Sequence, residues 1–383
     1  MISIFCKLII FNILSNLLSI LISESKKILK VLLNKVRIPN EFILLSSKFE
    51  VNEIEEVYQI KIDVPFAVKY VCLYLFKLNG KNILIDSGLN IGNWKKKLFS
   101  AFEYLNISIQ DIDYCIISHI HTDHIGLVKI LKQKNPELKI LMHDITHELL
   151  KWETNDENLN DLEQKAKIAA NQLIRYGISE DKGNMIVQFF TYWPKFLQYQ
   201  KPDIIVHDGD ILFDTLEIIW TPGHSFGHIC IFDKVKKYLF AGDHILSRIT
   251  PHIGNFIIPT NMAEKYKDHD FNNILKHYLA SLDKIDLLNP RIIFPAHQEV
   301  IYNSHERILQ IKEHHKNRLE EISNLIKNNP LTAFKISQIH FGEDLDELNS
   351  YMALSEVLGH LIYLEAQNKV KIIEKNGKLF YYS

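Results

Sequence analysis

Residues 118–126 read Ser118-His119-Ile120-His121-Thr122-Asp123-His124-Ile125-Gly126, directly after the apolar run Tyr114-Cys115-Ile116-Ile117. Three imidazoles and a carboxylate within six residues constrain the fold more than any other stretch, since a strand end must deliver them into a tight turn. Such a turn puts His119 and His121 on one side and swings Asp123 and His124 to another, which suits two adjacent metal ions better than one. With 18 His in 383 residues, a histidine-rich surface loop is the ordinary alternative.

Three further stretches repeat the pattern. Ile218-Ile219-Trp220 runs into Thr221-Pro222-Gly223-His224-Ser225, Tyr238-Leu239-Phe240 ends in Ala241-Gly242-Asp243-His244, and Arg291-Ile292-Ile293-Phe294 ends in Pro295-Ala296-His297. Four times a short apolar strand stops at a side chain able to bind a metal. A strand fixes position and the turn after it frees the side chain, so ligands gather at such ends.

His119, His121, Asp123 and His124, then His224, Asp243 and His297, form a set that resembles the metallo-β-lactamase-fold hydrolases. Within them the chain is similar to glyoxalase II-type metallohydrolases that carry a C-terminal winged-helix domain. The stretch from Ile60 to Phe76 and Ile83-Leu84-Ile85-Asp86-Ser87-Gly88 fit the opening of that domain, and the resemblance covers about residues 52 to 383. Phe226 departs from the family's usual proline after His-Ser; it touches turn geometry and no ligand. The resemblance implies an α/β fold, an αββα sandwich with a helical insertion and a C-terminal winged-helix domain. It places His119, His121 and His224 on one metal, Asp123, His124 and His297 on the other, and Asp243 between them.

Composition agrees with a globular enzyme of two to three domains: 47% hydrophobic, 23% charged, formal net charge −2,. That charge gives no general attraction to nucleic acid or acidic membranes. Cys6, Cys72, Cys115 and Cys230 are isolated, and read as buried thiols of a cytoplasmic, reducing compartment. Residues 1–50 form an N-terminal extension. Leu8 to Ile22 carry no charge, short of a comfortable spanning length, and no small-residue cleavage site follows. A membrane association through residues 1–23, a loosely packed extension and a rarely used upstream start all remain open.

The catalytic domain is expected over 51–300, with strands Val57–Ile62, Val71–Leu78, Asn82–Asp86 and Lys139–Met142, and helices Trp94–Tyr104 and Gly126–Gln133,. An insertion of about 144–203 has a helix Leu159–Tyr176 and an aromatic stretch holding Phe189, Phe190, Tyr192, Trp193, Phe196 and Tyr199. It reads either as helices with an ordinary apolar face or as a lid whose rings, Trp193 among them, line an acyl pocket.

Residues 301–383 read as three helices and a hairpin turning at Asn376-Gly377,. That winged-helix pattern invites a nucleic-acid reading, which the charges oppose. Acids and bases balance, and Ser350 to Gln367 contains Glu356 and Glu365 but no Lys or Arg, where DNA readers place positive charge. A packing or homodimer module is the better expectation.

The expected cofactors are two divalent metal ions, zinc first, with manganese or iron also able to bind. They would provide a hydroxide nucleophile for a small-molecule acyl substrate, an ester, thioester or lactone, with Asp123 orienting the attack. Phosphodiester cleavage is the alternative and needs a basic track, yet the insertion's Lys165, Lys167, Arg175, Lys182 and Lys195 are balanced by Glu153, Asp156, Glu157, Asp161 and Glu163. A flavodiiron-type redox role stands third, since it requires a fused flavin domain and usually a carboxylate at the place of His121. Asp86 is a candidate acceptor for a ligand N–H or a turn-forming aspartate. His228 and His244 are candidates for supporting or substrate contacts, or ordinary exposed histidines.

Overall fold

The computed structural model describes residues 49–64, 68–154, 169–192, 197–254 and 264–383, with side chains throughout except at 188–192. Strands β1 (Phe49–Ile54), β2 (Val57–Asp63), β3 (Tyr70–Leu78) and β4 (Lys81–Ile85) pair antiparallel in chain order. β5 (Tyr114–Ile116), β6 (Lys139–His143) and β7 (Ile204–Val206) continue the same sheet in parallel. Its crossovers are α1 (Trp94–Tyr104), then α2 (Thr122–Ile125) with α3 (Val128–Lys134), then α4 (Asp144–Glu153) and α5 (Glu180–Tyr192). A second sheet has the order β12-β11-β10-β9-β8, from β8 (Ile211–Leu212), β9 (Leu216–Trp220), β10 (Ile229–Asp233), β11 (Tyr238–Gly242) and β12 (Ile292–Pro295). Only β11 and β12 run parallel there, joined through α6 (Ile274–Leu288). α7 (Ser304–Ile326), α8 (Ala333–Phe341), α9 (Glu347–Ala366) and the hairpin of β13 (Lys371–Lys375) and β14 (Lys378–Tyr382) complete the chain.

The unbroken apolar run of β3 is that of a strand buried on both faces. Val71, Leu73 and Leu75 face the layer of α1 and α3, while Cys72, Tyr74 and Phe76 face the second sheet. β11 divides likewise: Tyr238 and Phe240 point between the sheets, Leu239 and Ala241 toward α6. Phe76 stacks on Phe240 at 4.8 Å and Tyr74 meets Phe294 edge-on at 5.3 Å. Each ring so buried contributes about 2 kcal/mol relative to an exposed one. Two central sheets with helices outside make the α/β, αββα sandwich.

Several elements differ from the sequence reading. The helix after the histidine motif begins inside it, at Thr122 rather than Gly126, so Asp123 and His124 ride on a helical turn. The aromatic stretch is entered by the helix Glu180–Tyr192. Phe189, Phe190 and Tyr192 lie among the undescribed side chains, and Trp193 and Phe196 outside the described residues, as do residues 159–168 of the expected Leu159–Tyr176 helix. The described part of the insertion turns to the C-terminal region. Leu173, Ile178 and Ile186 pack with Ile322 and Ile326 of α7, Ile336 of α8 and Leu354, Val357 and Leu361 of α9. Lys182 Nζ donates to Leu345 O at 2.9 Å and Phe334 N to Tyr176 O at 3.0 Å.

α9 starts at Glu347 because Asp346 caps it, accepting from Asn349 N at 2.9 Å,. It is buried over most of its length against α5, α6, α7 and α8. Glu356, conspicuous on a would-be recognition helix, pairs with Arg318 of α7 at 2.8 Å. Among the described residues no helix is long and apolar enough to cross a membrane; the apolar segment of residues 1–23 lies outside them. Cys72, Cys115 and Cys230 are buried free thiols.

Two imidazoles meet between α7 and α9, His315 Nδ1 lying 3.1 Å from His360 Nε2, while His360 Nδ1 donates to Glu356 O at 2.7 Å. Both rings are fully buried. Burial, then the partner imidazole, drives His315 down to about 2, and burial drives His360 to about 3. Below the ordinary histidine pKa the unfolded chain takes up protons that the folded one refuses. Stability from these rings is therefore complete above about pH 6.5 and falls as pH drops toward 3, by about 2 kcal/mol per ring at pH 5. His360→Asn, which keeps a donor toward Glu356 O, should shrink the loss between pH 7 and pH 5 by about that amount in urea unfolding. An unchanged difference between the two pH values would assign the acid sensitivity elsewhere.

Candidate metal centre

Each of the four strand ends singled out in the sequence arrives at one edge of the sandwich. β5 leads to His119, His121, Asp123 and His124; β9 to His224; β11 to Asp243; and β12 to His297. Gly242 makes the third delivery workable. Its φ is +50°, and a Cβ there would lie 2.6 Å from His228 Nε2, so the strand ends tightly only with glycine.

Ligand-capable atoms of His119, His121, His224 and Asp243 converge within 4.8 Å of one another, and those of Asp123, His124 and His297 do the same. His121 Nδ1 lies 3.0 Å from His119 Nε2 and 2.9 Å from His224 Nε2. Nitrogens around a tetrahedral zinc would be separated by about 3.3 Å, so this spacing needs only slight expansion. Asp243 reaches both groups: Oδ2 is 3.3 Å from His224 Nε2, while Oδ1 is 3.3 Å from His297 Nε2 and 3.6 Å from His124 Nε2. Asp123 lies 3.5 Å from His297 and 3.7 Å from His124.

The residues fit divalent metal ions. His124 Nε2 and Asp243 Oδ1 are buried without a hydrogen-bond partner, a costly state unless something binds them. Outer nitrogens, by contrast, are held. His124 Nδ1 sits 2.8 Å from Asp86 Oδ2, His224 Nδ1 donates to His252 O at 2.8 Å, His297 Nδ1 to Tyr70 O at 2.6 Å, and His119 Nδ1 lies 3.0 Å from Ser118 Oγ. Fixing the outer nitrogen as N–H leaves the inner lone pair free for a cation.

Charge follows position. Burial, then neighbouring imidazoles, holds His119 and His121 well below the usual histidine range, so both are neutral donors. Burial also opposes charge on His124 and His297, yet the surrounding carboxylates, Asp243 first, outweigh it and raise both. For Asp243 burial is overcome by His297 and His124, which hold its carboxyl far below the ordinary value.

Asp86 is 1% exposed with φ +62°, a left-handed conformation uncommon outside glycine. It accepts from Ser118 N at 2.7 Å and Ser118 Oγ at 2.8 Å besides His124, and so ties the motif together. His228 and His244 are fully buried, which removes the exposed-histidine alternative. His228 Nε2 accepts from Asp243 N at 3.1 Å and its Nδ1 meets Thr221 Oγ1 at 2.8 Å, so it supports a ligand. His244 packs edge-on to Tyr278 at 4.9 Å; burial lowers it to about 3. Phe226 packs on Phe271 at 4.7 Å, away from ligation. Trp193 lies outside the described residues. Sequence reasoning gave no role to Ser118, Thr221 and His252; those of Ser118 and His252 depend on Asp86 and on α9, far along the chain.

A four-layer sandwich carrying His/Asp clusters at its strand ends defines a metal-dependent hydrolase. The chain belongs to the metallo-beta-lactamase superfamily, whose family model matches residues 70–297, and residues 319–383 match a metallo-beta-lactamase-like C-terminal domain. It is 26% identical over 320 residues to the probable metallo-hydrolase YqjP of Bacillus subtilis, covering 82% of this chain and 94% of that one. An acyl-coenzyme A thioesterase of Bos taurus is 23% identical over 223 residues, 52% of this chain and 72% of that protein. A beta-lactamase domain protein from Burkholderia ambifaria shares the fold at TM-score 0.72 and 19% identity, across 88% of this chain and 95% of that structure.

Asp86→Asn keeps the shape but removes the charge that His124 and Ser118 share. Competition with a chelator should show metal affinity falling by about 10- to 100-fold. Parent-like affinity would mean that Asp86 merely shapes the turn.

Proposed function

We propose that the chain is a dinuclear metal-dependent hydrolase of esters, thioesters or lactones, of the glyoxalase II type. The observation that carries this is the division of Asp243, one oxygen turned to His224 and the other to His124 and His297, each at 3.3 to 3.6 Å. In this reading His119, His121 and His224 would hold one ion, Asp123, His124 and His297 the other, and Asp243 would serve both. Imidazole and carboxylate donors favour zinc. Two bound ions would lower the pKa of water toward neutrality and polarise a carbonyl oxygen.

The protein's part is placement. Neutral His119 and His121 present lone pairs, His228 holds the Asp243 backbone, and Asp86 holds His124. Asp123, with 12% of its side chain exposed, lies 3.5 Å from His297 and 3.7 Å from His124, which supports a part for it in orienting an attacking water. A thioester is the first substrate class to try, because a relative of matching sequence bears an acyl-coenzyme A thioesterase name. The three C-terminal helices and hairpin are read as a winged-helix-like module for packing. This is supported by the burial of α9 and by the use of Glu356 on Arg318.

The purified protein should carry close to two ions per chain. His119→Ala and Asp243→Ala should each lose at least one together with activity, because a missing ligand opens the coordination shell. On an acyl-thioester panel the parent should turn over substrate, with rates falling tenfold or more on chelation, and single-stranded RNA should stay intact. Cleavage of RNA without acyl hydrolysis would replace this reading with the phosphodiesterase one.

A further inference from the structure

The acceptor that orients His224 is a backbone oxygen, that of His252, in a segment, 251–254, with no helix or strand of its own. An acceptor orients a ligand only as well as it is itself fixed. The His252 side chain supplies the fixing. Its Nε2 lies 3.0 Å from Met352 O and 3.0 Å from Ser355 Oγ, both on α9. Ser355 Oγ spends its proton on Met352 O at 3.0 Å, so the serine oxygen accepts and His252 Nε2–H donates to both. The two residues that follow are seated as well. Ile253 is buried in the core formed with α6 and α7, and a Cβ on Gly254 would lie 2.7 Å from Ser355 Oγ.

We propose that α9 is a positioning element of the metal centre, acting through His252: Ser355 and Met352 hold the imidazole, the imidazole fixes its own carbonyl, and the carbonyl sets the His224 ring. The inference rests on the reading that His119, His121 and His224 hold a metal ion. It gives the C-terminal region a duty at the site that needs no contact with substrate. His252 and Ser355 are positioning residues, since neither touches the reacting atoms.

The test uses the full-length chain, stripped of metal and titrated with Co²⁺ against a chromophoric chelator, with the visible spectrum recorded at each step. Cobalt bands report ligand geometry, so the readout is independent of turnover. His252→Ala should weaken one binding step about tenfold or more and alter its spectrum while leaving the other step unchanged. His252→Gln, whose side-chain N–H can replace the imidazole Nε2–H, should return both to near the parent. Ser355→Ala removes one of two acceptors and should weaken the same step by about threefold; it also serves where His252→Ala folds poorly. Parent-like affinity and spectrum in His252→Ala, or a Gln variant as weak as the Ala one, would overturn the coupling while the metal reading stands. A parent chain that binds no Co²⁺ would overturn both.

Discussion

Everything at this site depends on keeping five imidazoles and three carboxylates, Asp86, Asp123 and Asp243, in a space from which water is largely excluded. His119, His124 and His297 are nearly or wholly inaccessible, and all three aspartates are buried. Unpaired charges in such surroundings are expensive, by several kcal/mol per ion even after relaxation. The chain answers with geometry: outer polar atoms are given partners, and inner ones are aimed at each other. Within the inner set, His124 Nε2 and Asp243 Oδ1 are left without a hydrogen-bond partner. Burial that would destabilise a metal-free cluster is what makes it a strong cation trap. The same burial keeps His119 and His121 neutral and ready to donate.

The sandwich exists to hold that edge. β5, β9, β11 and β12 come from two sheets, and the rings of Tyr74, Phe76, Phe240 and Phe294 lock one sheet against the other. A shift between sheets would pull His224, Asp243 and His297 away from the β5 motif. Packing cores resist such slippage because their contacts are dense and discrete. Stability of the interlayer core and alignment of the two ligand groups are thus one requirement.

Much of this was legible because its signals are local. An apolar run broken by a histidine or aspartate shows a strand end wherever it occurs, and Trp94–Tyr104 and the Asn376-Gly377 hairpin follow from period and turn chemistry,. The start of α2 inside the motif was hidden because Thr122-Asp123-His124-Ile125 offers no apolar periodicity over so short a span. His228 and His244 sit beside a polar motif yet are fully buried, His228 between Thr221 and Asp243 and His244 against Tyr278. Trp193 lies outside the described residues, so the acyl-pocket expectation placed on it is neither met nor refused.

The C-terminal region shows most clearly where local reading stops. Its charge balance argued against an electrostatic grip on nucleic acid, but said nothing of what its long helix covers instead. That helix is buried by four others, two of them from the catalytic sandwich and its insertion. Arg318 then neutralises Glu356 within the seam rather than leaving it to meet a ligand. Tyr176, Lys182 and Leu173 clamp the region from the insertion side, and His252 joins it on the metal side. A module bound to the catalytic body along both margins cannot move far without disturbing the acceptor of His224. The metal centre and the C-terminal helices therefore share one mechanical frame, although about a hundred residues separate His252 from the helix that holds it.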